Sequence, residues 1–311
     1  MRIYTHAACS AHDTGPGHAE RPERLAAVIQ ALRDAFPAIE WHEAPRATRE
    51  QLLRAHAPSL LRSVLETKPS QRVMLDPDTV LSPASAEAGL RAAGAAVAAV
   101  DGVLGGETKR AFCAVRPPGH HATRDTAMGF CLFNSVALAA LHALEAHGLE
   151  RVAIADFDVH HGNGTQAIFE SDPRVLFLSS HQVPLYPGSG LAQDTGAGNI
   201  VNAPLAPGSG GAEFRASWHD VLLPALDRFR PQLLLVSAGF DAHARDPLAQ
   251  LELDAGDYAW LTRELVATAD RHARGRVVSS LEGGYDLQAL RECSVAHVAA
   301  LMADEAQATV G

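Results

Sequence analysis

Four short apolar runs in this chain break off into clusters of Gly, His, Asp and Pro. AFCAV (111–115) runs into Arg116-Pro117-Pro118-Gly119-His120-His121. RVAIADF (151–157) runs into Asp158-Val159-His160-His161, and QLLLVSA (232–238) into Gly239-Phe240-Asp241-Ala242-His243. RVVSSL (276–281) runs into Glu282-Gly283-Gly284-Tyr285. Together with RVLFLS (174–179), these runs are short and lack polar alternation, the pattern of parallel strands covered on both faces. Helical spacing fills the gaps. It is clearest at 22–36, where Pro22 suits a first turn and Leu25, Val28, Ile29, Leu32 and Phe36 recur. Further helices are expected at 84–104, 132–147, 213–229, 256–273 and 286–302. Strands alternating with helices predict an α/β fold with a mostly parallel sheet between helical layers. Ligands bind such sheets beyond the carboxyl ends of the strands. The four polar clusters are therefore expected to meet in one crevice.

No linker, repeat or composition shift divides the 311 residues, so a single catalytic domain spanning 1–311 is expected. The net charge of −10 argues against binding nucleic acid through a basic face, while an acidic rim would attract a basic peptide. The first residues lack the apolar core of a signal peptide. The alanine-rich run 84–100 carries Glu87 and Arg91, which argues against a membrane span. Cys9, Cys113, Cys131 and Cys293 are scattered, with no CxxC pair. That fits a reducing, cytoplasmic setting better than a disulfide framework or a thiolate metal site.

The clusters carry chemistry of a definite kind. In an extended segment Asp156, Asp158 and His160 share a face. Carboxylate and imidazole at that spacing suit a divalent ion, with Asp241 as a further ligand and one position left open for catalysis. The alternative is a polar loop with helix-capping aspartates. His120 and His121 follow a rigid Pro-Pro-Gly turn and could serve as general acid and base or as ligands, against the alternative of two surface histidines. Gly283 and Gly284 permit a sharp turn that brings the Tyr285 phenol to a developing oxyanion, unless the tyrosine simply packs. Aromatic residues beside glycine, in Met128-Gly129-Phe130 and Leu185-Tyr186-Pro187-Gly188, could wall a slot for an aliphatic chain or belong to the core.

Taken in this order, from Gly15-Pro16-Gly17-His18-Ala19-Glu20-Arg21-Pro22-Glu23-Arg24 to Glu282-Gly283-Gly284-Tyr285-Asp286, the motifs resemble the arginase-like histone deacetylase family of zinc amidohydrolases. DVHHGNGTQ, GFDAHARDPL and LEGGYDL are closest to its class II branch and bacterial relatives, among them acetylpolyamine amidohydrolases. The resemblance implies a three-layer fold around a central eight-stranded parallel sheet. It implies one zinc ion on Asp158, His160 and Asp241, and a tunnel flanked by Phe130 and Tyr186. Gly129 would accept from the substrate amide, and Asp78 would grip the substrate backbone at the rim. His121 would be the general base and Tyr285 the oxyanion donor, with Asp156 orienting His120. Residue 163, an Asp in class I enzymes, is Asn163 here and would pair with His121. Potassium is implied at two places: Asp156, Asp158, His160, Ser179 and Ser180, and near Phe169, Asp172, Val175 and Asn199. Leu248 stands where a polyamine-preferring relative has an acidic residue. It points to N-ε-acyl-lysine in a protein or peptide as substrate, with acetylpolyamine or another small amide as the alternative. An arginase-type dimanganese centre would want more carboxylates than Asn163 and His243 leave. A non-catalytic acyl-lysine binder would have lost a ligand or the tyrosine.

Overall fold

The computed structural model describes residues 1–303. Its strands are β1 (Arg2–Thr5), β2 (Glu40–Glu43), β3 (Val73–Asp76), β4 (Thr79–Leu81), β5 (Arg110–Cys113), β6 (Val152–Asp156), β7 (Val175–Gln182), β8 (Ile200–Leu205), β9 (Leu233–Ala238) and β10 (Val277–Leu281). Eight of them form one parallel sheet in the order β2-β1-β5-β10-β9-β6-β7-β8, and β3 and β4 form a separate antiparallel hairpin. The four runs that end in polar clusters are β5, β10, β9 and β6. They are consecutive neighbours at the centre of the sheet. Every residue of these four strands is buried, which explains why they are apolar without alternation.

Helices cover both faces. Ser85–Leu104 and Ser135–Glu145 pack together on one, against β5, β6, β9 and β10. Pro22–Ala35, Ala255–His272 and Leu287–Met302 pack together on the other. The result is the three-layer α/β fold that the alternation predicts. Local chemistry sets the helix ends. Pro22 opens its helix at the first turn, and the Asn134 side chain accepts from Ala137 N to start Ser135–Glu145. The helix expected at 213–229 is divided: Gly211–Ser217 passes through a π turn, Trp218–Leu222, into Leu223–Phe229. Pro224 lacks the N–H that a continuous α-helix would use there.

The elements that the periodicity does not predict lie mostly at the margins. β2 and β8 are the two edge strands. β2 is Glu-Trp-His-Glu with its side chains partly exposed, and β8 contains Pro204, which an edge strand tolerates. All four cysteines are buried and free. Among the described residues no helix is long and apolar enough to cross a membrane. The expected domain, 1–311, includes residues 304–311, which lie outside the described residues.

Candidate active site

β6 ends at Asp156, so the alternation does not carry on to His160. Asp156 turns instead to His120, its Oδ2 lying 2.9 Å from His120 Nδ1, while its Oδ1 accepts from Asp158 N. Asp158 and His160 join Asp241, from the loop after β9, in one buried trio. His160 Nδ1 is 3.1 Å from Asp158 Oδ1 and 3.2 Å from Asp241 Oδ2. The second oxygen of each carboxylate is held by backbone: Asp158 Oδ2 accepts from Gly283 N at 2.8 Å, and Asp241 Oδ1 from Val159 N at 2.9 Å. This close approach is why residue 283 is glycine. A Cβ there would stand 2.0 Å from Asp241 Oδ2.

The electrostatics of the trio call for a cation. Burial disfavours an imidazolium at His160, yet Asp158 and Asp241 outweigh it and lift the ring to about 10. Burial and the charge on Asp158 raise Asp241. Two carboxylates and one imidazole nitrogen, fixed by backbone and opening on a cavity, are a donor set for a divalent metal with an open position.

A second trio, Asp101, His142 and His147, also gathers its ligand atoms within 4.8 Å but is differently surrounded. Arg54 Nη1 lies 2.7 Å from His142 Nδ1. A guanidinium can only donate, so Nδ1 must accept, and the ring's hydrogen sits on Nε2, facing Asp101 Oδ1 at 2.7 Å. That network is satisfied without a metal.

His120 and His121 stack with ring centroids 4.0 Å apart but face opposite fields. Burial disfavours a charged His120, but Asp156 and Asp158 raise it to about 10. Burial, His120 and His160 push His121 well below the usual histidine range. The two fields thus favour the charged form of His120 and the neutral form of His121. His121 Nδ1 donates to Asn163 Oδ1 at 2.8 Å, and Asn163 Nδ2 donates to Met128 Sδ. An amide oxygen at position 163 thus fixes the tautomer that leaves Nε2 free to take a proton.

Three positioning residues escape the motif reading. Glu282 Oε2 accepts from Gly119 N and His120 N at 2.6 and 3.2 Å, tying the Pro-Pro-Gly-His-His loop to β10. Burial raises its carboxyl to about 7. Arg24, fully buried, donates to the carbonyls of Gly284 and Glu282, and its guanidinium stands 4.8 Å from the Tyr285 ring centroid. Asp246 accepts from Tyr285 N at 2.7 Å and from Leu248 N at 3.0 Å, so one side chain sets both. All three lie inside quoted motifs. Their long-range partners leave no mark in the spacing.

The crevice narrows to a cavity of about 220 Å³. It is lined by His121, His160 and Tyr285 together with Phe130, Leu185, Tyr186, Leu248, Gly129 and Asp78. Gly129 has φ +56, and a Cβ would meet the His121 ring at 2.4 Å. The β3–β4 turn braces this wall: Asp78 Oδ1 accepts from Gly129 N at 3.1 Å, and Thr79 Oγ1 from Phe130 N at 3.0 Å. Burial drives the Tyr285 phenol far above its ordinary value, so it remains an O–H donor.

The residues expected to hold potassium separate into two groups. Asp156 pairs with Ser179 across β6–β7, beside Ser180, whose Oγ accepts from Trp218 Nε1 at 3.0 Å. The first group is thus contiguous with the trio. The second group gathers around one side chain. The carbonyls of Phe169, Asp172 and Val175 do converge, but on the Asn199 side-chain nitrogen, at 2.8, 3.1 and 2.8 Å. Asn199 enters the cluster as a donor and cannot be a ligand through that atom.

Comparison with known proteins agrees with this geometry. Residues 18–301 match the family described as the histone deacetylase domain. The chain is 41% identical over 288 residues to the "Histone deacetylase-like amidohydrolase" of Pseudomonas aeruginosa, covering 90% of this chain and 76% of that one. It is 38% identical over 307 residues to the "Polyamine deacetylase HDAC10" of Homo sapiens, covering 92% of this chain and 45% of that one. The crystal structure of the HDA15 HD domain superposes with a TM-score of 0.92 at 33% identity, covering 98% of this chain and 92% of that one.

Proposed function

The chain belongs to the histone deacetylase family, and from that premise we propose that it hydrolyses the amide of N-ε-acyl-lysine in a protein or peptide, releasing a carboxylate and the free lysine amine. One observation carries the reading: a small, mostly apolar cavity is lined by His121, His160 and Tyr285 beside Phe130, Leu185, Tyr186 and Leu248. An acyl-lysine is an uncharged aliphatic arm ending in an amide, and this cavity suits that shape. An acetylated polyamine carries an ammonium along its arm that a carboxylate would stabilise, and Asp78 is the one carboxylate among the described lining residues. Leu248 offers none.

Asp158, His160 and Asp241 would hold one zinc ion, which when bound supplies Lewis acidity toward the acyl carbonyl and makes water more acidic. His121, neutral and with Nε2 free, takes a proton from the attacking water as the new C–O bond forms. Tyr285 donates its O–H to the oxygen that gains negative charge. His121 then returns the proton to the departing amine as the C–N bond breaks. His120 keeps its charge throughout, held by Asp156, and favours the developing anion. Gly129 O would accept from the substrate amide N–H, and Asp78, anchored at the mouth, would engage the substrate backbone. Asp156, Asp158, His160, Ser179 and Ser180 would hold a potassium ion that offsets the buried carboxylates.

The test compares zinc-loaded protein on an acetyl-lysine peptide and on N-acetylputrescine. Faster turnover of the peptide, lost in Tyr285→Phe, supports the reading. Turnover of the polyamine alone replaces the substrate while keeping the site chemistry.

A further inference from the structure

We propose that the side-chain amide of Asn199 takes the place of the second monovalent cation, so that in this chain the loop between the helix Asn163–Phe169 and β7 is held without potassium. The family resemblance implies an ion among the carbonyls of Phe169, Asp172 and Val175. Those carbonyls converge, but Asn199 Nδ2 already stands among them at 2.8, 3.1 and 2.8 Å. A cation and an amide nitrogen cannot occupy one point, and both offer positive charge to the same lone pairs. The amide's two hydrogens are shared among the three oxygens.

The amide has only one workable orientation. Its Oδ1 accepts from Ala197 N at 3.1 Å, so the opposite end must face the carbonyls. Turned over, it would set an oxygen against three oxygens and a nitrogen against an N–H. Asn199 is 4% exposed, so water does not substitute for these bonds. The Asp172 carboxylate adds no charge to the centre, because both its oxygens are bound by the Arg174 guanidinium. A neutral donor therefore suffices. Asn199 also leads directly into β8, and its own carbonyl accepts from Phe177 N at 2.9 Å. The side chain thus clips the entry of β7 to the entry of the edge strand, a task that an ion would otherwise perform.

The test uses thallium(I), which scatters anomalously and substitutes for potassium. Crystals of the zinc-loaded chain soaked in thallium(I) should show no peak among the carbonyls of Phe169, Asp172 and Val175. Asn199→Ala should show one. A thallium peak there in the unmodified chain, with Asn199 turned aside, overturns the proposal. Melting in potassium chloride against choline chloride at equal ionic strength gives a second readout. Asn199→Ala should gain more from potassium than the unmodified chain, and an equal gain in both contradicts the substitution. If Asn199→Ala does not fold, the thallium map of the unmodified chain still decides. Neither readout depends on which amide the protein hydrolyses.

Discussion

Asp158, His160 and Asp241, like Asp101, His142 and His147, bring three ligand atoms within 4.8 Å of one another. The first trio is buried, and main-chain N–H groups fix both its carboxylates. The second lies at the surface, where Asp101 is half-exposed and Arg54 fills the free nitrogen of His142. Arg54 brings a full cation to the second trio, whereas the first has only the His120 ring, 3.8 Å from Asp158 Oδ1. Two buried carboxylates, Asp158 and Asp241, thus keep donor capacity for a further cation. Residue types bring both clusters into view, and the neighbours decide between them.

The largest expected effect breaks the first trio. Asp241→Asn removes a ligand and should abolish both zinc retention and turnover, read by metal analysis and peptide hydrolysis. Asp101→Asn should leave zinc at one per chain and kcat unchanged. Equal losses in the two variants would erase the distinction between the clusters.

The groups around the first trio sharpen it further. Tyr285→Phe keeps the ring on Arg24 but removes the O–H, and kcat should fall about 10²–10³-fold with KM little altered. A parallel fall in binding would mean that the phenol only shapes the pocket. Next is Asn163→Asp. A carboxylate against His121 Nδ1 stabilises the imidazolium, so the His121 pKa rises. The base is then protonated at higher pH, and the acid limb of the kcat/KM profile should move up by about one to three units. An unmoved limb would show that His121 is not the titrating base. The smallest effect concerns the second trio. Arg54→Ala releases His142 Nδ1, and weak additional zinc binding should appear at millimolar metal. Its absence would show that exposure alone, without Arg54, keeps that cluster metal-free.

The same contrast explains what is legible in the sequence. β5, β6, β9 and β10 are central and buried on both faces, so their composition announces them, and their carboxyl ends carry the trio, the histidine pair and Tyr285. β2 and the β3–β4 hairpin are short and, apart from β4, partly exposed, and β8 is interrupted by Pro204, so periodicity has little to act on there. Yet the hairpin braces Gly129 and Phe130. Asp246, Glu282 and Arg24 act through partners that are remote in the chain or are backbone atoms, and spacing cannot encode those. Asn199 is the sharpest case. A family pattern places it beside a cation, whereas its side chain is itself the donor.

The most direct test is reconstitution. Metal-free protein is titrated with zinc while acetate release from an acetyl-lysine peptide is followed. Activity should rise to a plateau at one equivalent, should never appear in Asp241→Asn, and should be fully retained in Asp101→Asn. Hydrolysis by the metal-free chain, or its loss in Asp101→Asn with survival in Asp241→Asn, would contradict the assignment of the chemistry to Asp158, His160 and Asp241.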